Sequence, residues 1–145
     1  MISNSVLETE RIASEYAAGL KAGDVLFFRG DLGAGKTAFV RGLAAGLGIP
    51  PETVSSPTFT FVKEYGGGRL PLAHFDMYRV GSADDLYSIG FFDYLETDAV
   101  IAVEWSENIE AFADVPHVTV TISRGESEDQ RIITIEGVHN ADSCV

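Results

Sequence analysis

Apolar positions along the chain follow two patterns, a period of three to four residues and short continuous runs. Over residues 6–20 the apolar residues recur with helical spacing, which predicts a helix capped by Asn4 or Ser5 and ended by Gly23. A continuous apolar run follows at residues 25–28. Such a run, bounded by turn residues, is typical of a parallel strand that is covered on both faces.

The same two patterns continue to the end of the sequence. A second helix is predicted over residues 36–47, with Gly48 as its stop. Further strands are predicted at residues 59–65, 70–75 and 100–103, short helices at 84–89 and 91–96, and a terminal hairpin at 118–122 and 131–135. This alternation predicts one layered α/β domain over residues 1–137, with residues 138–145 as a frayed tail.

Composition narrows the classes of function. The 10 Lys and Arg against 22 Asp and Glu give a net charge of −12. Because phosphate contacts supply most of the affinity of nucleic-acid binders, this charge argues against DNA or RNA binding by this chain alone, and against a membrane-surface role. The single cysteine cannot form an internal disulfide, and the N-terminus does not resemble a signal peptide. We therefore expect a cytoplasmic protein.

A glycine-rich segment between the first predicted strand and the second predicted helix carries the strongest chemical signal. It matches G-x-x-x-x-G-K-[ST] with the residues Gly30, Asp31, Leu32, Gly33, Ala34, Gly35, Lys36 and Thr37. Glycine lets successive backbone N–H groups converge on phosphate oxygens, and the helix directs its positive dipole end there. Lys36 supplies a charge to the phosphates, and the Thr37 hydroxyl is a suitable Mg²⁺ ligand.

The motif therefore predicts a P-loop NTPase-like domain with a mixed, mostly parallel sheet flanked by helices. Such enzymes need a carboxylate at the end of another strand to hold Mg²⁺. Asp76 and Glu104 both follow predicted strands, and the sequence leaves open which of them contacts the metal directly. Thr58 lies where P-loop switches place a threonine that senses the γ-phosphate, although Ser-Pro-Thr is also an ordinary turn sequence.

Three other residues each have two interpretations. His74 is more often packed or hydrogen-bonded than a ligand in such a position. Arg79 could contact phosphate or pair with one of the many acids. Trp105 could belong to the core or form an exposed anchor for a partner, and the sequence does not choose between them.

In this order, the motifs resemble those of the TsaE (YjeE) family, small P-loop ATPases of bacterial tRNA threonylcarbamoyladenosine synthesis. The resemblance extends from about residue 7 to residue 137, nearly the whole chain. The matching segments are Glu8-Thr9, the glycine-rich loop, Ser56-Pro57-Thr58-Phe59, His74-Phe75-Asp76-Met77-Tyr78-Arg79, Gly90, Tyr94-Leu95-Glu96 and Glu104-Trp105. The loop alone is generic, whereas the ordered set is specific to the family. Ser106 departs from it, since many members have proline there.

The resemblance implies a partner-dependent ATPase that uses ATP and Mg²⁺, works with the proteins TsaB and TsaD, and meets tRNA only through them. Its implied roles are phosphate binding by Lys36 and the loop amides of residues 31–37, Mg²⁺ binding by Thr37 and Glu104, a Walker-B-like acid at Asp76, a switch threonine at Thr58, and contact with the base by Thr9 and, more weakly, Arg131. We expect low intrinsic activity that rises in the complex, because the chain offers few arginines to clamp a transition state.

Other classes of function stay open at this point. A small-molecule P-loop kinase would need a lid with arginines, and residues 81–96 are acidic and apolar instead. A GTPase would carry Asn-Lys-x-Asp, which the sequence lacks, so adenine is favoured over guanine. A nucleotide-gated interaction module would use ATP to order residues 55–61 without requiring hydrolysis.

Overall fold

A computed structural model describes residues 1–30, 35–55, 61–111 and 113–137 of the chain. The strands in these ranges are β1 (Ile2–Ser3), β2 (Val25–Gly30), β3 (Val62–Tyr65), β4 (Leu72–Asp76), β5 (Val100–Glu104), β6 (Val118–Arg124) and β7 (Arg131–Gly137). The helices are α1 (Val6–Ala17), α2 (Lys36–Gly46), α3 (Ala83–Ser88) and α4 (Phe91–Tyr94), with 3₁₀ turns at Pro51–Thr53 and Ser106–Asn108. No helix in these ranges is long and apolar enough to cross a membrane.

The strands form one sheet in the order β1-β7-β6-β2-β5-β4-β3. The central strands β6, β2, β5 and β4 are parallel to one another. At one edge β3 pairs antiparallel with β4, and at the other β7 pairs antiparallel with β6 and β1 antiparallel with β7. This mixed sheet, flanked by helices and completed by the β6–β7 hairpin, confirms the predicted α/β fold class.

Helices cover both faces of the parallel strands, which is why their sequences are apolar throughout. On one face, Phe28 of β2 packs edge-on against Phe39 of α2, with ring centroids 5.6 Å apart. On the other face, Phe75 of β4 meets Phe91 of α4 at 5.3 Å. Two separate apolar cores result, and burial of both anchors the strand ends that carry polar residues.

Helices α1 and α2 pack with almost no side chain between them. A Cβ built on Gly42 would lie 2.3 Å from the Glu10 carbonyl oxygen and 2.6 Å from the Ala13 Cβ. At Gly46 the corresponding contacts are 2.4 Å to the Ser14 carbonyl oxygen and 2.7 Å to the Ala17 Cβ. The absence of a side chain at Gly42 and Gly46 therefore lets the two backbones touch, and this contact holds α1 against α2.

The ends of several elements, such as α4, β4, β6 and β7, differ by one or two residues from the sequence-based expectation, and two differences are more substantial. Helix α1 ends at Ala17, well before Gly23. The amides of residues 18–20 bond to the carbonyls three residues back, and the Arg69 guanidinium donates to the carbonyls of Ala17 and Leu20 at 2.8 and 3.0 Å. Leu20 is nevertheless buried, so the apolar pattern that predicted the helix includes a core residue beyond the end of the helix. Strand β1 was not predicted, since two residues are too few to display alternation.

Removing the Arg69 side chain tests this helix end. We expect Arg69→Ala to lower the free energy of unfolding by about 1 to 2 kcal/mol, because two carbonyls lose charge-assisted donors. Urea denaturation measures the change. The control is Arg11→Ala, which removes an exposed ion pair with Glu8 and should cost less than about 0.5 kcal/mol. Equal effects of the two substitutions would contradict this account.

Candidate functional site

Three parallel strands end at the same edge of the sheet, and each ends at a residue singled out by the sequence. Strand β2 ends at Gly30, β4 at Asp76 and β5 at Glu104. Asp76 and Glu104 are register partners, so their side chains leave neighbouring strands on the same face. In open α/β sheets the carboxyl ends of the strands form the ligand crevice, so this edge is the candidate site.

The N-terminus of α2 also lies at this edge, since Lys36 Nζ reaches the Gly30 carbonyl oxygen at the end of β2. The residue before the helix, Gly35, has a left-handed φ of 109°, and a Cβ built there would have open space around it. Within the described ranges no side chain caps the helix, and its first turn carries no acidic residue. Unsatisfied amides and the positive end of the helix dipole favour an anion at this position.

Lys36, the first residue of α2, is almost fully buried and turns back toward the strand ends. Its Nζ donates to the Gly30 carbonyl oxygen at 3.3 Å and lies 5.5 Å from the centroid of the Trp105 ring. Trp105 has a positive φ of 60° and packs edge-on against Tyr78, with centroids 4.8 Å apart. Trp105 is therefore half-buried at the site. It is neither a fully buried core residue nor a fully exposed anchor, the two interpretations that the sequence left open.

Each carboxylate at the strand ends has its own hydrogen-bond donor. Asp76 is buried, and its Oδ1 accepts from the Tyr78 backbone N–H at 2.9 Å. Glu104 Oε2 lies 2.6 Å from Nε2 of His74, which is fully buried. His74 is thus a hydrogen-bonded histidine rather than an open ligand, and its partner is one of the two candidate metal-site acids.

The oxygen donors present fit Mg²⁺ chemistry. Among the described residues, no group of three or more His, Cys, Asp or Glu side chains could hold a metal ion by itself. A P-loop site does not need one, because the nucleotide phosphates and water would supply further oxygen ligands. Thr37, the second residue of α2, would supply its hydroxyl, and Glu104 or Asp76 would supply a carboxylate oxygen.

A cavity of about 120 Å³ opens beside the N-terminus of α2. Its lining residues come from both helices and the terminal hairpin, and they are Ser5, Val6, Thr9, Gly35, Ala38, Asp129 and Arg131. Thr9 is buried, with its hydroxyl 2.7 Å from that of Ser3. The structure thus brings Thr9, Gly35 and Arg131 to one cavity beside the start of α2.

The remaining residues named from the sequence are Arg79, Ser106 and five residues outside the described ranges. Asp31, Leu32, Gly33 and Ala34 of the glycine-rich loop, together with Thr58, lie outside the described residues. The Arg79 guanidinium lies 4.8 Å from the centroid of the Phe61 ring. Ser106, where many relatives are expected to have proline, is buried and donates to the Phe28 carbonyl oxygen at 3.2 Å, so it links a 3₁₀ turn to β2.

The mixed sheet with its strand ends, the lysine at the helix start and the glycine-rich sequence before it place the chain among P-loop NTPase-like α/β proteins. Within that class, the chain belongs to the TsaE family. The family model "Threonylcarbamoyl adenosine biosynthesis protein TsaE" matches residues 3–133.

Individual relatives agree with this assignment. The chain is 45% identical over 133 residues to the tRNA threonylcarbamoyladenosine biosynthesis protein TsaE of Bacillus subtilis (strain 168), a match that covers 92% of this chain and 82% of the relative. The TsaE protein of Treponema pallidum (strain Nichols) is 41% identical over 135 residues, with 92% and 97% covered. A crystal structure of Bacillus subtilis YdiB superposes with a TM-score of 0.79 at 38% identity, covering 99% of this chain and 88% of that one.

Proposed function

We propose that the chain is a Mg²⁺-dependent ATPase that supports threonylcarbamoyladenosine modification of tRNA together with TsaB and TsaD. The observation that carries this proposal is the register of Asp76 with Glu104 at the strand ends, beside Lys36 at the start of α2. That arrangement supplies a cation for phosphates and two carboxylates for a metal and a water. The printed names of the relatives supply the pathway.

The residues divide the chemistry of hydrolysis among them. Lys36 and the amides at the start of α2 hold the β- and γ-phosphates, and the cavity containing Thr9 takes the base. Bound Mg²⁺ supplies positive charge to the phosphate oxygens. Asp76 orients the attacking water, since its Oδ1 is fixed by the Tyr78 amide. The water oxygen then bonds to the γ-phosphorus, and the bond to the bridging oxygen breaks with its electron pair left on ADP. The water loses one proton to the Asp76 carboxylate, which passes it to solvent, and ADP and phosphate leave.

Two arginines near the site have other partners, which favours a low rate in the chain alone. Arg29, at the end of β2, forms an ion pair with Glu110. Arg79 lies against Phe61. Because an arginine that reaches the transferred phosphoryl group raises the rate by about 10³- to 10⁵-fold, we propose that full activity requires the partner proteins.

The deciding experiment combines ATP hydrolysis with tRNA modification. Phosphate release is measured for the chain alone and with TsaB and TsaD, and modified adenosine is quantified in the same mixtures with ATP or a non-hydrolysable analogue. We expect modification to need this chain and ATP, and hydrolysis to rise with the partners. An equal rate without partners would contradict the partner requirement. Normal modification by Asp76→Ala and Glu104→Ala variants that still bind ATP would favour a nucleotide-gated module instead.

The base pocket yields a separate prediction. We expect Arg131→Ala to weaken ATP binding by about three- to tenfold, the equivalent of about 1 kcal/mol, because the cavity loses a cation from its wall. Calorimetric titration with ATP measures the dissociation constant. The matched control is Arg124→Ala, since Arg124 is the exposed register partner of Arg131 across the hairpin and does not line the cavity. An unchanged dissociation constant for Arg131→Ala would mean that Arg131 does not contact the bound ATP.

A further inference from the structure

His74 is a buried residue in which only one of the two ring nitrogens has a hydrogen-bond partner among the described residues. Its exposed fraction is 0%, and Nε2 lies 2.6 Å from Glu104 Oε2. The other ring nitrogen, Nδ1, is buried without a hydrogen-bond partner among the described residues. Buried polar atoms are nearly always paired, and an apolar side chain would fill this place without leaving an unpaired nitrogen. Packing alone therefore does not explain a histidine here, whereas the hydrogen bond to Glu104 does.

The register of β4 and β5 explains why His74 reaches Glu104. His74 is paired with Ala102, and Asp76 is paired with Glu104. Alternation along a strand puts His74 and Asp76 on one face, and Ala102 and Glu104 share that face on the neighbouring strand. Because Ala102 is small, the imidazole can extend past it to the diagonal neighbour, Glu104.

The hydrogen positions follow from the partners. An ionised carboxylate only accepts hydrogen bonds, so the proton between the two side chains belongs to Nε2 of His74. Within the described part of the chain Nδ1 faces no acceptor, so a proton there would be an unpaired buried donor. The geometry assigns His74 the tautomer with hydrogen on Nε2.

We infer that His74 is a positioning residue that holds Glu104 in the orientation needed at the nucleotide site. The inference rests on the proposed ATPase function. Asp76 is short and is fixed by a backbone amide, whereas Glu104 has an additional rotatable bond and needs a donor farther from its own backbone. His74 supplies that donor to Oε2 and leaves the second carboxylate oxygen for Mg²⁺. Such partners commonly control how well a carboxylate serves as a metal ligand.

The first measurement uses the unmodified chain. Long-range ¹H–¹⁵N correlation spectra of the histidine rings distinguish the two tautomers, and we expect His74 to carry its hydrogen on Nε2. Replacement of Glu104 by glutamine should shift the His74 ring signals more than those of His117, which stacks on Phe27 at 4.0 Å. A hydrogen on Nδ1, or His74 signals that do not respond to Glu104→Gln, would overturn the inference. This readout does not depend on ATP hydrolysis.

The second measurement compares substitutions with and without a donor. His74→Met removes the donor at similar volume and should lower kcat by about 10- to 100-fold with little change in the KM for ATP. His74→Gln retains an N–H donor and should recover most of the rate. His117→Met serves as the control for a general loss of stability, which thermal unfolding monitors in every variant. Equal kcat in His74→Met and the unmodified chain would overturn the inference.

The two measurements separate the failure of this inference from the failure of the proposed function. If the unmodified chain with TsaB and TsaD hydrolyses no ATP, the proposed function fails, and the tautomer still decides whether His74 holds Glu104. If His74→Met does not fold, His74→Gln and the spectra decide instead. A folded His74→Gln with a rate as low as that of Glu104→Gln would contradict a role based on hydrogen-bond donation.

Discussion

Replacing Lys36 by alanine is expected to lower the rate of ATP hydrolysis, measured with the partner proteins, by on the order of 10²- to 10³-fold. Lys36 is almost fully buried, and its ammonium group lies between the end of β2 and the Trp105 ring, where water screens little of its charge. A phosphate bound at the start of α2 would lose its nearest side-chain cation in this variant. Binding of ATP should weaken as well, because the ground state also carries charge on these phosphates.

The control for Lys36→Ala is Lys21→Ala. It removes the same charge from an exposed position in the turn that leads to β2. Both variants change the net charge of −12 by the same amount, so a general electrostatic effect would appear in both. A rate for Lys36→Ala close to that of Lys21→Ala would mean that the phosphates are not held at the N-terminus of α2.

The second large effect is expected at Gly42, where α1 and α2 touch. Glycine to alanine inside a helix usually stabilises by about 1 kcal/mol. Here the added Cβ would lie 2.3 Å from a backbone oxygen of α1, so we expect Gly42→Ala to destabilise the chain by about 1 to 3 kcal/mol. The unfavourable sign distinguishes close packing from helix propensity.

Urea denaturation measures the effect of Gly42→Ala, and Gly19→Ala is its control. At Gly19 the nearest atom to an added Cβ is 3.8 Å away, and the stability should change by less than about 0.5 kcal/mol. If Gly42→Ala raised the free energy of unfolding instead, that result would contradict the close approach of α1 and α2 at this position.

The sequence was sufficient for the layered architecture, because its main signals are local. The apolar run before Gly30 indicates a strand covered on both faces, and the residues after it match the phosphate-loop spacing. The positions of Asp76 and Glu104 directly after apolar runs place them at strand ends. These features depend on neighbours in the chain. The structure has the strand before Gly30 and the strand ends at Asp76 and Glu104 where the sequence predicts them, whereas residues 31–34 of the loop lie outside the described ranges.

The remaining features depend on which elements become neighbours in space. Alternation on β4 places His74 and Asp76 on one face, but only the β4–β5 register brings His74 to Glu104. Similarly, the carbonyl of Ala17 at the end of α1 accepts from Arg69, which is distant in the sequence. The φ of Trp105 follows from its packing at the strand end, and no residue pattern indicates it.

The direct contact between the backbones of α1 and α2 also has a consequence for how the molecule opens. Neither helix can separate from the other without exposing Ala13, Ala17 and the glycines of α2 to water. The amide hydrogens of both helices should therefore exchange with solvent through one shared opening reaction. A ligand held at the Gly35 end of α2 would raise the free energy of that opening, and so would slow exchange in α1, whose residues lie far from the phosphate loop in sequence.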